Sequence, residues 1–458
     1  MILGLAWWTY QSTRENKIDN REVIVFWGSP HITDQRAPVL RAFEAENPQY
    51  RVIYSVPVTK NVEGDGQRLL CAIAGGVPPD VVFFDRFAIG EWASKGAFED
   101  LTPWLKKQAL DDPYRIDLED YYRFTVEEVS YREPGSNEPF SVYGIPQSVD
   151  FRMLYMNMDM LNNAGLTEGP KNWDELSDYA FKLTKFRDPN QLTAGITRLG
   201  FGPNEGNSWL YLYAWQAGGE FLSPDRTTVT MSSPEVVKAL KYNLDVYDRL
   251  GGYQNVMAFK SSFLKGGAQD PFFADQMAMR IDGSWNLSTI AEYKRDMNFA
   301  VVAPPLPQSE LDKGKTPLTW SGGYAYIMPK SAQNKGGAFK LIQFLQCDDI
   351  LSYMEDEYKQ SQLSRGKLYL PRATSKQKLF EATIKREVYE NEDLPETFKN
   401  AYRETEKIGA NTYIRPVTSV GQLLWNKHMQ GYELAVTKSE KLKPIVDQRL
   451  ASNTFTND

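Results

Sequence analysis

The chain has 458 residues, too many for one ordinary core, and points to two domains of roughly 150–250 residues each. Its 42% apolar and 24% charged content is that of a globular protein, and a formal charge of −7 lacks the positive surface that a phosphate backbone requires, which excludes nucleic acid as a partner. Aromatic residues reach 13%, with 25 Tyr and 11 Trp, more than a core packed on Leu, Ile and Val needs.

The chain opens on an apolar run, ILGLAWW (Ile2 to Trp8), followed by polar sequence. The run is too short to span a bilayer, and two adjacent tryptophans at an apolar-to-polar boundary suit a membrane interface. Residues 1–22 therefore read as an ordinary docked terminus or, the preferred expectation, as the rear of a signal or membrane anchor. Next, VIVFW (Val23 to Trp27) predicts a buried strand, Thr33 to Glu46 a helix, RVIYSVPV (Arg51 to Val58) a strand, Gln67 to Ala74 a helix ended by Gly75-Gly76-Val77-Pro78-Pro79, and Asp80 to Asp85 a third strand. Strands separated by helices of this length imply βαβ units and a parallel sheet.

The middle of the chain starts its helices with recognisable caps. Asn172 stands before WDELSDYAFKLTK with Glu175 three positions on, and Ser233 precedes Pro234 at the first position of a helix running through Leu250. Strand patterns return at MAMRI (277–281) and NFAVVAP (298–304), Phe339 to Leu345 is helical, and the last ninety or so residues are mostly helical with charged faces. The two cysteines, Cys71 and Cys347, fall on helix-like stretches where a buried thiol is the ordinary reading, with a disulfide between them left open. The two histidines, His31 and His428, give a zinc site or a Ser-His-Asp triad little material. No cofactor or metal is expected.

Three tryptophans fall where an apolar run gives way to glycine, serine or proline: Trp27 before Gly28-Ser29-Pro30, Trp285 at the end of AMRIDGSW, and Trp320 before Ser321-Gly322-Gly323-Tyr324. In open α/β sheets ligands bind outside the carboxyl ends of strands, so these rings are candidates for stacking a flat, partly apolar ligand. An aromatic ring covers the apolar face of such a ligand, and paired Asp and Arg side chains can hydrogen-bond to a polar rim.

The order of VIVFW, AFEAENP, GGVPPDVVFFD, GIPQSVDFRMLYMN, NWDELSDYAFKLT, AMRIDGSW, APPLP, WSGGYAYIMPKSAQNKGGAFKLIQFL and LPR (Leu370 to Arg372) resembles the extracellular solute-binding proteins, family 1, of sugar ABC transporters. The resemblance implies an α/β, two-lobed, type II periplasmic-binding-protein-like fold. Each lobe would be a mostly parallel sheet flanked by helices, 23–147 plus 321–369 forming one lobe and 148–320 plus 370–458 the other. It implies a monomeric, non-enzymatic component of an importer on the periplasmic or extracytoplasmic face. Such a component captures a carbohydrate or polyol phosphate in a cleft that closes on it and delivers it to ABC permease subunits. A carbohydrate-active enzyme and a ligand-sensing partner of a receptor are the alternatives.

The same resemblance nominates the site. Trp27 and Ser29 would lie on the first strand-to-helix loop, Asp85 and Arg86 would reach sugar hydroxyls, Gln147 and Asp150 would stand at the first crossing between lobes, and Trp285 would be the stacking ring. Trp320, Gly322, Gly323 and Tyr324 would line the cleft, as would one of Trp209 and Trp215, with Arg372 and Tyr413 as further contacts. Each has a structural alternative: Asp85 suits a helix cap, Arg86 a surface ion pair, and Trp27 and Trp285 a place in a core.

Overall fold

A computed structural model describes residues 20–28, 33–56, 62–263 and 267–452. The amino-terminal run 2–8, Ser29 and His31, and the predicted strand's end at 57–58 lie outside the described residues. In chain order the elements that build the site are β1 (Glu22–Trp27), α1 (Thr33–Glu46), β2 (Tyr50–Ser55), α2 (Val62–Ala74), β3 (Val81–Asp85), α3 (Arg86–Ser94), α4 (Arg123–Glu128), β4 (Ile145–Pro146), β5 (Arg152–Asn157), α5 (Trp173–Leu183), α6 (Trp209–Gln216) and α7 (Pro234–Arg249). They continue with β6 (Met279–Gly283), α8 (Asn286–Tyr293), β7 (Phe299–Val302), β8 (Thr319–Ser321), β9 (Tyr324–Ile327), α9 (Lys335–Leu345), β10 (Thr412–Ile414) and α10 (Gly421–Thr437).

The first sheet has the order β2-β1-β3-β9-β4. β1 pairs in parallel with β2, Glu22 opposite Tyr50, and with β3, Phe26 opposite Val81, as the βαβ pattern predicts. β9 joins antiparallel to β3 and β4. Buried Asp80 accepts from Val25 N and Asn334 N, both at 2.8 Å, which ties β1 to the start of α9.

The second sheet, β6-β5-β7, departs from the expectation of a mostly parallel arrangement: β5 pairs antiparallel with both neighbours. All six residues of β5 are buried, and a fully buried apolar strand carries no alternation that would reveal its direction. The caps are as read: Asn172 accepts from Glu175 N at 2.8 Å, and Ser233 caps α7 through Val236 N. α2 begins five residues before the predicted Gln67, running through Gly64 and Gly66, whose low helix propensity argues against helix in the sequence. Cys71 is exposed rather than buried, Cys347 is partly buried, and both are free thiols.

The apolar residues sort into separate clusters. Residues 24–145 and 326–354 pack around the first sheet, and residues 153–320 and 370–436 around the second. The chain passes between them at 146–152, where β4 leads into β5, and at 321–325, where β8 leads into β9. The Thr319 hydroxyl holds these passages together, accepting from Arg152 N and donating to Arg152 O, both at 2.8 Å.

Candidate functional site

A cavity of about 950 Å³ lies where these passages meet. Asp85, Asp150, Trp209, Trp285, Trp320, Gly322, Gly323 and Tyr324 line it, joined by Phe87, Arg152, Asn207, Thr289, Arg415, Gln422 and Trp425. Asp85 ends β3 and caps α3 by accepting from Phe87 N at 2.9 Å, and the same carboxylate oxygen accepts from Arg415 Nη2 at 2.8 Å. The capping alternative and the cavity-lining role thus hold together. Asp150 accepts from Gly322 N at 2.8 Å and pairs with Arg152. Gly323 sits at φ 139°, and a side chain there would collide with the Ser148 carbonyl, so only glycine lets the two passages run so close.

Arg86 does not reach the cavity. It is fully buried, donating from Nε to Glu128 at 2.8 Å, from Nη2 to Gly322 O at 2.6 Å and from Nη1 to Ser148 O. With both passages bound to one planar guanidinium, its role is to hold backbone in place. Around it three carboxylates (Asp85, Glu128, Asp150) face three guanidinium groups (Arg86, Arg152, Arg415), and the charges balance. Burial pushes the Glu128 carboxyl up against the pull of Arg86 and Arg415. Burial also pulls Arg152 down against Asp150, and it works against the Arg415 charge, which Asp85 and Glu128 more than restore.

The tryptophans divide. Trp285 is 44% exposed and its ring lies over Gly283, where a Cβ would collide with it. Trp320 is 2% exposed, donates from Nε1 to Ser208 O at 3.2 Å and carries the Arg152 guanidinium 3.7 Å from its ring centre. Its face is occupied by protein, so it supports Arg152 rather than stacking a ligand. Trp209, held at φ 57° with its Nε1 donating to Asn207 at 2.6 Å, meets Trp425 edge-on at 5.3 Å. A non-glycine residue in that left-handed region carries strain of roughly 1–2 kcal/mol, a cost found at functional positions.

Other expected residues lie elsewhere. Trp215 is buried and, with Tyr413 5.4 Å away, borders a different cavity of about 800 Å³. Trp27 packs under the Arg68 guanidinium and does not line the 950 Å³ cavity. Gln147 and Arg372 line an adjoining cavity of about 320 Å³ that shares Trp285 and Tyr324 with the first, and Arg372 pairs with Glu355 at 3.0 Å. Sequence reasoning missed Arg415 and Trp425, which come from the carboxyl-terminal region where motifs are weakest. The only signal was an aromatic residue within the helical run GQLLWNKHM.

The profile of the bacterial extracellular solute-binding proteins matches residues 30–349. The chain belongs to that family. This family member is 26% identical over 313 residues to a chain described as a binding protein in Brucella abortus (strain 2308), covering 67% of each. It is 21% identical over 338 residues to the sn-glycerol-3-phosphate-binding periplasmic protein UgpB of Escherichia coli (strain K12), covering 70% of each. The solved structure of CpMnBP1 with mannobiose bound shares its fold at TM-score 0.71 and 20% identity, covering 94% of this chain and 98% of that one. Solute-binding proteins are transport components, and this one has no helix among its described residues long and apolar enough to cross a membrane.

Proposed function

We propose that this solute-binding protein captures a neutral carbohydrate in the 950 Å³ cavity and hands it to an ABC permease outside the cytoplasm, with residues 1–22 serving export or anchoring. Residues 23–147 plus 321–369 act as one lobe and 148–320 plus 370–458 as the other. Closure follows ligand contacts that form only when the lobes meet. A micromolar dissociation constant corresponds to about 8 kcal/mol, ample for such a shift. The observation that carries the reading is Trp285, a large ring left 44% exposed over a cavity whose charged side chains Asp85, Asp150, Arg152 and Arg415 are paired with one another.

Charge balance favours a neutral ligand over a polyol phosphate. Arg152 and Arg415 are each committed to a carboxylate, so a phosphate entering the cavity meets no uncompensated cation. Titration calorimetry with mannose, mannobiose, mannotriose and sn-glycerol 3-phosphate tests this. Neutral sugars are expected to bind at least about tenfold more tightly than the phosphate, a difference of about 1.4 kcal/mol. The reverse order, or no binding of any sugar, overturns the reading.

A further inference from the structure

Resting on that reading, we infer that the ligand is at least a disaccharide, and that its second unit enters a side cavity on the far flank of Trp285 where it accepts a hydrogen bond from Asn286. This side cavity, of about 470 Å³, shares Asn207, Trp285 and Thr289 with the main one, so the two are continuous past the indole. Both volumes fall within the roughly 300–1,000 Å³ of small-molecule sites. An exposed ring standing between two cavities offers its surface to a ligand that spans both.

The chemistry of the side cavity is specified by its buried groups. Arg280, 7% exposed, donates from Nη1 to Asp270 at 2.8 Å and from Nη2 to Asn286 Oδ1 at 2.5 Å. That second bond fixes the amide, because a guanidinium donor needs the oxygen opposite it. The Asn286 amide nitrogen is thereby turned away from Arg280. It has no hydrogen-bond partner among the described residues, although Asn286 is only 2% exposed. A buried donor left unmade is costly, and a ligand oxygen would satisfy it.

Lys260 pairs with Glu205 at 3.0 Å, and Arg280 lies 3.4 Å from Asp282. Three carboxylates thus face two cations, a balance that repels an anionic substituent and suits a hydroxyl. Glu205 and Asn207 come from the segment leading into α6, Lys260 from a separate helix, and Asn286 and Thr289 from α8, so the wall is assembled from four stretches of chain counting Asp270.

The test is calorimetry of the whole protein and of Asn286→Asp with mannose, mannobiose and mannotriose. The substitution keeps the shape and an oxygen toward Arg280 but replaces the free donor with an acceptor. The wild-type protein is expected to gain at least about tenfold in affinity from mannose to mannobiose, and Asn286→Asp to reduce that gain below about threefold with mannose affinity unchanged. Equal wild-type affinity for mannose and mannobiose overturns the inference while leaving sugar capture intact, and it needs no variant to fold. An undiminished gain in a variant with native circular dichroism overturns it as well. Binding of no sugar at all overturns sugar capture and this inference together.

Discussion

The floor and the rim of the main cavity are built from the same residue types for opposite purposes. In the floor Trp320 is buried beneath the Arg152 guanidinium, and Arg86 is used up on Glu128 and on the two chain passages. At the rim Trp285 lies exposed over Gly283, and Trp209 and Trp425 meet edge to face beside it. A tryptophan beside an arginine is therefore a structural device where both are buried, and a candidate binding surface where the ring faces open space. Exposure, not identity, separates the two.

The sharpest way to break this contrast is at the floor. Arg86→Ala leaves the Glu128 carboxylate buried without its main partner, and a loss of about 3–5 kcal/mol in unfolding free energy is expected. Urea denaturation measures it, and a loss below about 1 kcal/mol would return Arg86 to the role of a dispensable contact.

A second test concerns the packing behind the rim. His428 lies buried among Tyr211, Phe221 and Trp425 with neither ring nitrogen hydrogen-bonded among the described residues, and burial pulls its pKa down from 6.5 to about 3. The folded state therefore favours the neutral ring. The stability this contributes is complete above the unfolded pKa near 6.5 and is lost as pH falls toward the folded value, at about 1.4 kcal/mol per pH unit. His428→Leu should remove one proton's worth of that slope between those limits in a series of melts against pH. An unchanged slope would mean that the ring is protonated in the fold.

At the rim the expected effect is on binding. Trp285→Ala should weaken the preferred sugar by at least about tenfold, or about 1.4 kcal/mol, with a thermal midpoint close to that of the unaltered protein. A large drop in the midpoint with unchanged affinity would move Trp285 from the rim to the floor. The smallest effect is expected at Trp27, which lies under Arg68 and away from the cavity lining. Trp27→Ala should change affinity by less than about threefold, and a tenfold loss would extend the rim to the end of β1.

Much of this site was legible from residue types at strand ends. Asp85, Asp150, Trp285 and the Gly322-Gly323-Tyr324 turn follow apolar runs, and all line the cavity. Trp320 obeys the same pattern, yet its ring is covered, because burial depends on which side chains arrive from distant segments. Arg415 was illegible for the same reason: its partners Asp85 and Glu128 lie some three hundred positions earlier in the chain.

The sequence by itself determined the local elements: the βαβ start, the capped helices at Asn172 and Ser233, and the family, since periodicity and capping are properties of neighbouring residues. Tertiary structure alone decided the antiparallel direction of β5, the burial of Arg86 and Trp320, and the unmatched amide of Asn286. Each of these depends on groups far apart in the chain, whose solvation and partners are set only when the segments pack.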